Sequence, residues 1–210
     1  MDTTIVFNDT KQRVLQYFET QILRAGLASF TVDQMARELK ISKRTIYQEF
    51  PNKTAIVSAY VDSVKTRLNE HFQAVNKLDL RPAQRLILTF KGVLNILSPF
   101  LNQTISDLKQ LYPDIRQGLV QFRMEKFKHL FDLLQQAQGD GDLNPNLNLN
   151  RLAYLLPRVM DELFQPEVVF HPDHASRDMV KEVFLILFQG IFSGEMRDSF
   201  LQLLNENEPS

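Results

Sequence analysis

Apolar residues recur at helical spacing along nearly the whole chain, and no alternating run of useful strand length interrupts them. Val14, Leu15, Phe18 and Ile22 share one face of a first predicted helix, which starts around Asn8 to Thr10 and stops at Gly26, a natural terminator. Two short helices follow, over 31–39 and 43–50. Pro51-Asn52 separates them from a longer helix running from Lys53 to about Lys77. Asp79 to Pro82 marks the next boundary. Beyond it the pattern predicts helices over 82–97, 99–111, 114–137, 149–165 and 176–204. Their separators are Pro99, Pro113, the Gly139-Asp-Gly-Asp stretch and residues 165–172, and Pro157 should kink the helix that contains it. The expected fold class is all-α, with a small N-terminal three-helix unit over 1–53 and a helical bundle over 54–210.

The densest local signals lie in residues 30–50, which read FTVDQMARELKISKRTIYQEF. Thr31 and Gln34 stand at the two positions of a capping box, and Phe30 with Met35 at those of a hydrophobic staple. The same grammar returns ten residues later, with Ser42 as cap and Ile41 with Ile46 as staple. Two short helices with separate start signals and a turn of two or three residues between them form a helix-turn-helix. Met35, Ala36, Leu39, Ile41, Ile46 and Phe50 point inward in this reading, and Ala36 is small where the helices must approach closely. The outward face of the second helix is then Lys43, Arg44, Tyr47 and Gln48. Arginine can pair bidentately with guanine and glutamine with adenine, while lysine and tyrosine suit phosphates. Lys53 and the free amides of the helix that it opens add a further phosphate site. Double-stranded DNA is the expected partner.

Charge sharpens this picture. The chain of 210 residues carries a net charge of −1, which argues against general coating of nucleic acid. Residues 1–53 nevertheless hold eight Lys or Arg against six Asp or Glu, a balance of +2. Arg37, Lys40, Lys43, Arg44 and Lys53 outnumber Glu38 and Glu49 in the segment that contains the motif. A small basic patch on a near-neutral protein suits a short footprint on phosphates.

At these residues the chain resembles the tetracycline-repressor (TetR) family of bacterial transcription regulators. Thr31, Met35-Ala36, Ile41-Ser42, Thr45, Tyr47, Phe50 and Lys53 occupy the positions of that family's signature, including its Tyr-x-x-Phe-x-x-Lys ending. The motif covers residues 10–56; the rest of the chain matches in layout alone. The resemblance implies that Thr31, Tyr47 and Lys53 hold phosphates and that Lys43, Arg44, Thr45 and Gln48 lie nearest base edges; Ser42, the cap of the reading helix, completes the expected DNA-binding set. Two departures stand out. Lys40 and Arg44 replace glycines that the family usually has in the turn and early in the reading helix, so Lys40 should adopt a left-handed conformation at some strain. Glu49 adds a negative charge where a histidine is frequent.

Other chemistry is sparse. With no cysteine the chain has neither disulfides nor thiolate metal sites, and a reducing cytoplasm is the expected setting. The longest apolar run, Val183 to Phe188, is far short of the ~20 residues of a membrane helix, and Met1 to Thr10 does not read as a signal peptide. His71, His129, His171 and His174 lack the Glu-x-x-His spacing of a di-iron bundle, so no metal is expected. No phosphate loop or nucleophile elbow is present, and neither a catalytic residue nor a cofactor is assigned. The alternatives to a regulator are a helical-bundle enzyme and a structural adaptor, which specific retention on duplex DNA would separate from it.

The bundle carries two further expectations. Residues 179–194 are apolar almost all round, which predicts a homodimer through the last helices, with Gly190 and Gly194 allowing close approach. The resemblance implies a small-molecule effector that lowers DNA affinity, and composition makes it largely apolar. Phe90, Leu97, Leu101, Phe122 and Tyr154 are the expected pocket residues.

Overall fold

A computed structural model describes residues 3–97, 104–163 and 176–205. Capping and turn chemistry divide these residues into helices α1 (Thr3–Ala25), α2 (Val32–Leu39), α3 (Lys43–Glu49), α4 (Lys53–Asn76) and α5 (Pro82–Leu97), then α6 (Thr104–Leu111), α7 (Pro113–Gly139), α8 (Leu149–Leu163), α9 (Ser176–Ile191) and α10 (Gly194–Asn205). The first helix begins about five residues earlier than its apolar face suggests. It ends as expected: Gly26 has φ 72° and its N–H closes on the Ile22 carbonyl at 3.0 Å. α8 continues through Pro157.

The predicted helix over 176–204 is two helices. Its break at Phe192-Ser193 is made by the loop after α7. Asn144 donates its backbone N–H to Ile191 at 2.9 Å, and Ser193 donates to the Asp142 carbonyl, also at 2.9 Å. Gly194 then takes φ 46°, open to glycine without steric cost. The signal was non-local, because the capturing loop lies some fifty residues upstream. Gly194 therefore sits at a corner rather than on one helical face with Gly190. A methyl group on either would meet open space.

Two apolar interiors form. The lower one gathers α1, α2, α3 and the first part of α4 around Phe18, whose ring meets Phe30 and Tyr60 edge-on at 4.6 and 5.4 Å. The upper one gathers α5, α7, α8, α9 and α10, with Phe188 against Phe90 at 4.1 Å and Phe200 at 5.1 Å. α4 belongs to both: Ile56, Val57, Tyr60, Val61, Val64 and Leu68 lie in the lower interior and Phe72 in the upper. The apolar division along α4 thus falls between Leu68 and Phe72. α6 also crosses it, placing Leu108 in the lower interior. α4 and α5 approach closely at Gly92, where a methyl group would lie 2.1 Å from the His71 ring. That ring is held by the Leu88 carbonyl at 3.2 Å. Among the described residues no helix is long and apolar enough to cross a membrane.

Candidate nucleic-acid interface

The helix-turn-helix is built by local rules. Thr31 is extended, and its hydroxyl accepts from the Gln34 N–H at 3.3 Å. Gln34 does not reach back: its side-chain amide donates to Glu38 at 3.1 Å, so only half of the reciprocal cap forms. Ser42 accepts from the Thr45 N–H at 3.0 Å and shares a 2.8 Å hydroxyl contact with that threonine. Between the two caps Lys40 adopts φ 55°, ψ 40°, the left-handed conformation foreseen for it. Its N–H bonds to Arg37 and that of Ile41 to Ala36, the paired closure of a Schellman motif. Arg13 of α1 donates to the Leu39 carbonyl at 3.0 Å and so satisfies another orphan group at this end.

Met35, Ala36, Ile46 and Phe50 are buried, and Leu39 and Ile41 pack against them. The opposite face carries Lys43, Arg44, Tyr47 and Gln48, all exposed, with Tyr47 retaining 46% of its surface. Thr31 and Ser42 are exposed at the helix starts, and Thr45 is half-buried with its hydroxyl on Ser42. Lys43 forms an ion pair with Asp33, which ties the first turn of α3 to that of α2. The residue pattern did not reveal this pair, since it depends on how the turn folds back. Among the described residues no carboxylate pairs with Arg44.

Lys53 is placed differently from a solvent-facing phosphate ligand. It is half-buried, its Nζ donates to the Leu27 carbonyl at 3.3 Å, and it stands over the Phe30 ring at 5.3 Å. Burial pushes its pKa down and the charge of Asp107 pushes it back up. The amides that open α4 are partly occupied too, because Asn52 accepts from the Ala55 N–H at 2.8 Å. Asn52 was recognisable only as punctuation; its capping role requires the extended backbone seen at that position.

The five expected pocket residues do not share one interior. Phe90 is buried in the upper interior, whereas Leu97 and Phe122 pack on the lower one. Tyr154 is 61% exposed on α8, with the Arg158 guanidinium stacked at 3.6 Å on its ring, and Leu101 lies outside the described residues. An apolar groove of about 240 Å³ instead opens between α7 and α8, lined by Met124, Phe127, Phe131, Leu134, Leu152 and Leu156, with Lys128 also on its wall. No cluster of metal-ligating side chains forms among the described residues. His71 and His129 are engaged by the Leu88 carbonyl and the Asn76 side chain, and His171 and His174 lie outside the described residues.

Residues 19–60, from α1 into α4, match the family model of bacterial regulatory proteins of the tetR family. This segment thus carries the DNA-binding unit of a TetR-family transcriptional regulator. An uncharacterized HTH-type transcriptional regulator of Bacillus subtilis, YvaF, is 20% identical over 175 residues, covering 81% of this chain and 90% of that protein. A TetR-family regulator from Marinobacter aquaeolei VT8 superposes over the full length of both chains with a TM-score of 0.72 at 17% identity. A regulator from Saccharomonospora viridis, solved in complex with choline, gives 0.66 at 17% identity over 89% of this chain and 100% of its own. At these identities the solved structures speak for the fold. TetR-family regulators bind DNA operators, typically as dimers, respond to small-molecule effectors, and are not enzymes.

The left-handed Lys40 yields a stability prediction. A non-glycine residue there costs roughly 1–2 kcal/mol, and glycine gives back about 0.5–1 kcal/mol in backbone entropy. Lys40→Gly should therefore raise stability by about 0.5–1 kcal/mol, or ~1–4 °C in Tm for a chain of this size. Lys40→Ala is the control and should gain nothing. Equal melting of the two variants would show that the turn is unstrained.

Proposed function

We propose that this TetR-family regulator reads a near-palindromic operator as a homodimer, and that a small, largely apolar effector lowers its operator affinity. The observation that carries the DNA part is the exposed face of Lys43, Arg44, Tyr47 and Gln48 on a helix whose other face is buried. Arg44 is the base reader in this proposal, because Lys43 is already engaged by Asp33. Tyr47, Thr31 and the Ser42–Thr45 cap lie along the phosphates. Lys53 supports the interface from behind, through the Leu27 carbonyl.

The dimer proposal is supported by apolar surface exposed on two helices of the bundle. Ile186 on α9 is 62% exposed, although Val183, Leu187, Phe188 and Ile191 of the same helix face its own domain. On α8, Leu155 and the Tyr154–Arg158 stack also face outward. Tyrosine and arginine are the side chains that most often anchor interfaces. Two-fold symmetry would then set the reading helices one DNA turn apart, about 34–36 Å, or a multiple of it. For the effector, the α7–α8 groove is the proposed seat. Its walls are almost wholly apolar, as a binding site for an apolar molecule requires.

Three outcomes test these proposals. On an operator selected from random duplexes, Arg44→Ala should lose discrimination at one base position, worth roughly 1–3 kcal/mol. Tyr47→Ala should weaken all duplexes alike, and an Arg44 variant as selective as the wild type would remove arginine from base reading. Light scattering should give a mass twice that of the 24.4 kDa chain, and Ile186→Glu should give the single-chain mass. A monomeric wild type at micromolar concentration contradicts the dimer. Because coupling is reciprocal, a ligand found by thermal-shift screening should bind DNA-free protein more tightly than the operator complex, by roughly 1–3 kcal/mol in calorimetry. Equal affinity in the two titrations would show that the ligand is not an inducer.

A further inference from the structure

α6 carries a carboxylate into the DNA-reading unit. Asp107 is only 6% exposed, and its Oδ2 accepts a hydrogen bond from the Ala28 backbone N–H at 3.0 Å, across 79 positions of sequence. Leu108, the next residue, is 1% exposed and belongs to the lower interior together with Val14, Phe18 and Met35. Ala28 lies in the turn between α1 and α2. The carbonyl beside it, that of Leu27, accepts from Lys53 at the start of α4. One four-residue turn is therefore gripped from two sides, by a carboxylate of α6 and by an ammonium of α4.

Physical reasons make this grip directional. A buried carboxylate is tolerated only where donors or positive charge meet it, and here the Ala28 amide is a direct donor, with the Lys53 ammonium close enough to feel its charge. Breaking the bond would leave a charged acceptor buried and short of a partner. A displacement of α6 must therefore drag the α1–α2 turn with it or lose this contact. The turn sets the direction in which α2 leaves, and α2 is tied to α3 through Asp33 and Lys43.

We propose that Asp107 is a positioning residue for operator binding: it fixes the α1–α2 turn, and with it α2 and α3, to α6 of the regulatory bundle. The proposal rests on the DNA-binding reading and adds to it the side chain that holds reader and bundle in register. Asp107→Asn keeps an oxygen acceptor of the same reach and removes the charge. Asp107→Ala removes the acceptor.

The test uses the full-length chain. Hydrogen exchange at the Ala28 amide should quicken about tenfold in Asp107→Ala, while the Ile46 amide keeps wild-type protection. Affinity for the selected operator should fall about tenfold in the same variant, measured well below its melting temperature so that all of it is folded. Asp107→Asn should stay within about threefold of wild type on both readings, because its amide oxygen can still accept. This rescue separates positioning from a general loss of stability. If Asp107→Ala does not fold, Asp107→Ser, too short to reach the amide, is read in the same way. Unchanged Ala28 exchange, unchanged operator affinity beside faster exchange, or identical behaviour of the Asn and Ala variants each overturns the proposal. The exchange arm needs no DNA. A failure of the grip is thus distinguishable from failure of the DNA-binding reading, which would appear as wild-type protein that retains no duplex.

Discussion

The side chains of α4 are buried in two separate interiors, and this double membership constrains everything else. Ile56 to Leu68 close the underside of the DNA-reading unit, and Phe72 enters the upper bundle a turn later. Neither interior is complete without that one helix. Close packing makes such an element a poor hinge but a good lever, because side chains on both halves must keep their neighbours when it tilts. Asn52 fixes where the lever begins, and Glu19 of α1, which pairs with Arg67 at 2.9 Å, braces its middle.

The helix-turn-helix was legible because its information is local. Caps and staples act over three to five residues, so Thr31, Ser42, Ile41 and Ile46 announce themselves in one short window. The inward and outward faces of α3 followed from periodicity alone. Even the strained backbone at Lys40 could be foreseen from the resemblance, since the family usually has a glycine there and this chain does not.

What could not be read depends on distant partners. Lys43 and Lys53 both look like free cations in a basic patch, yet one pairs with Asp33 and the other is turned inward onto Leu27. Apolar side chains at helical spacing identify a buried face but not which interior it joins. That is why Phe90 and Phe122, both expected to line one pocket, pack in different interiors. The break after α9 is non-local for a related reason. Phe192 continues the helical pattern, and only the loop around Asp142, with Arg81 on its carboxylate, ends it.

The approach of α4 and α5 at Gly92 has a consequence for how this chain can vary. A methyl group there would lie 2.1 Å from the imidazole of His71, so the two positions form a single steric unit spread over two helices. Position 92 cannot gain a side chain while position 71 keeps a ring in this rotamer. Conversely, a smaller residue at 71 would leave a void, at a cost set by how far the helices can close over it. In the present rotamer, change at position 92 therefore waits on a movement or replacement of the ring at position 71. Two helices of this fold are thus keyed together at one crossing by a ring and the absence of a side chain.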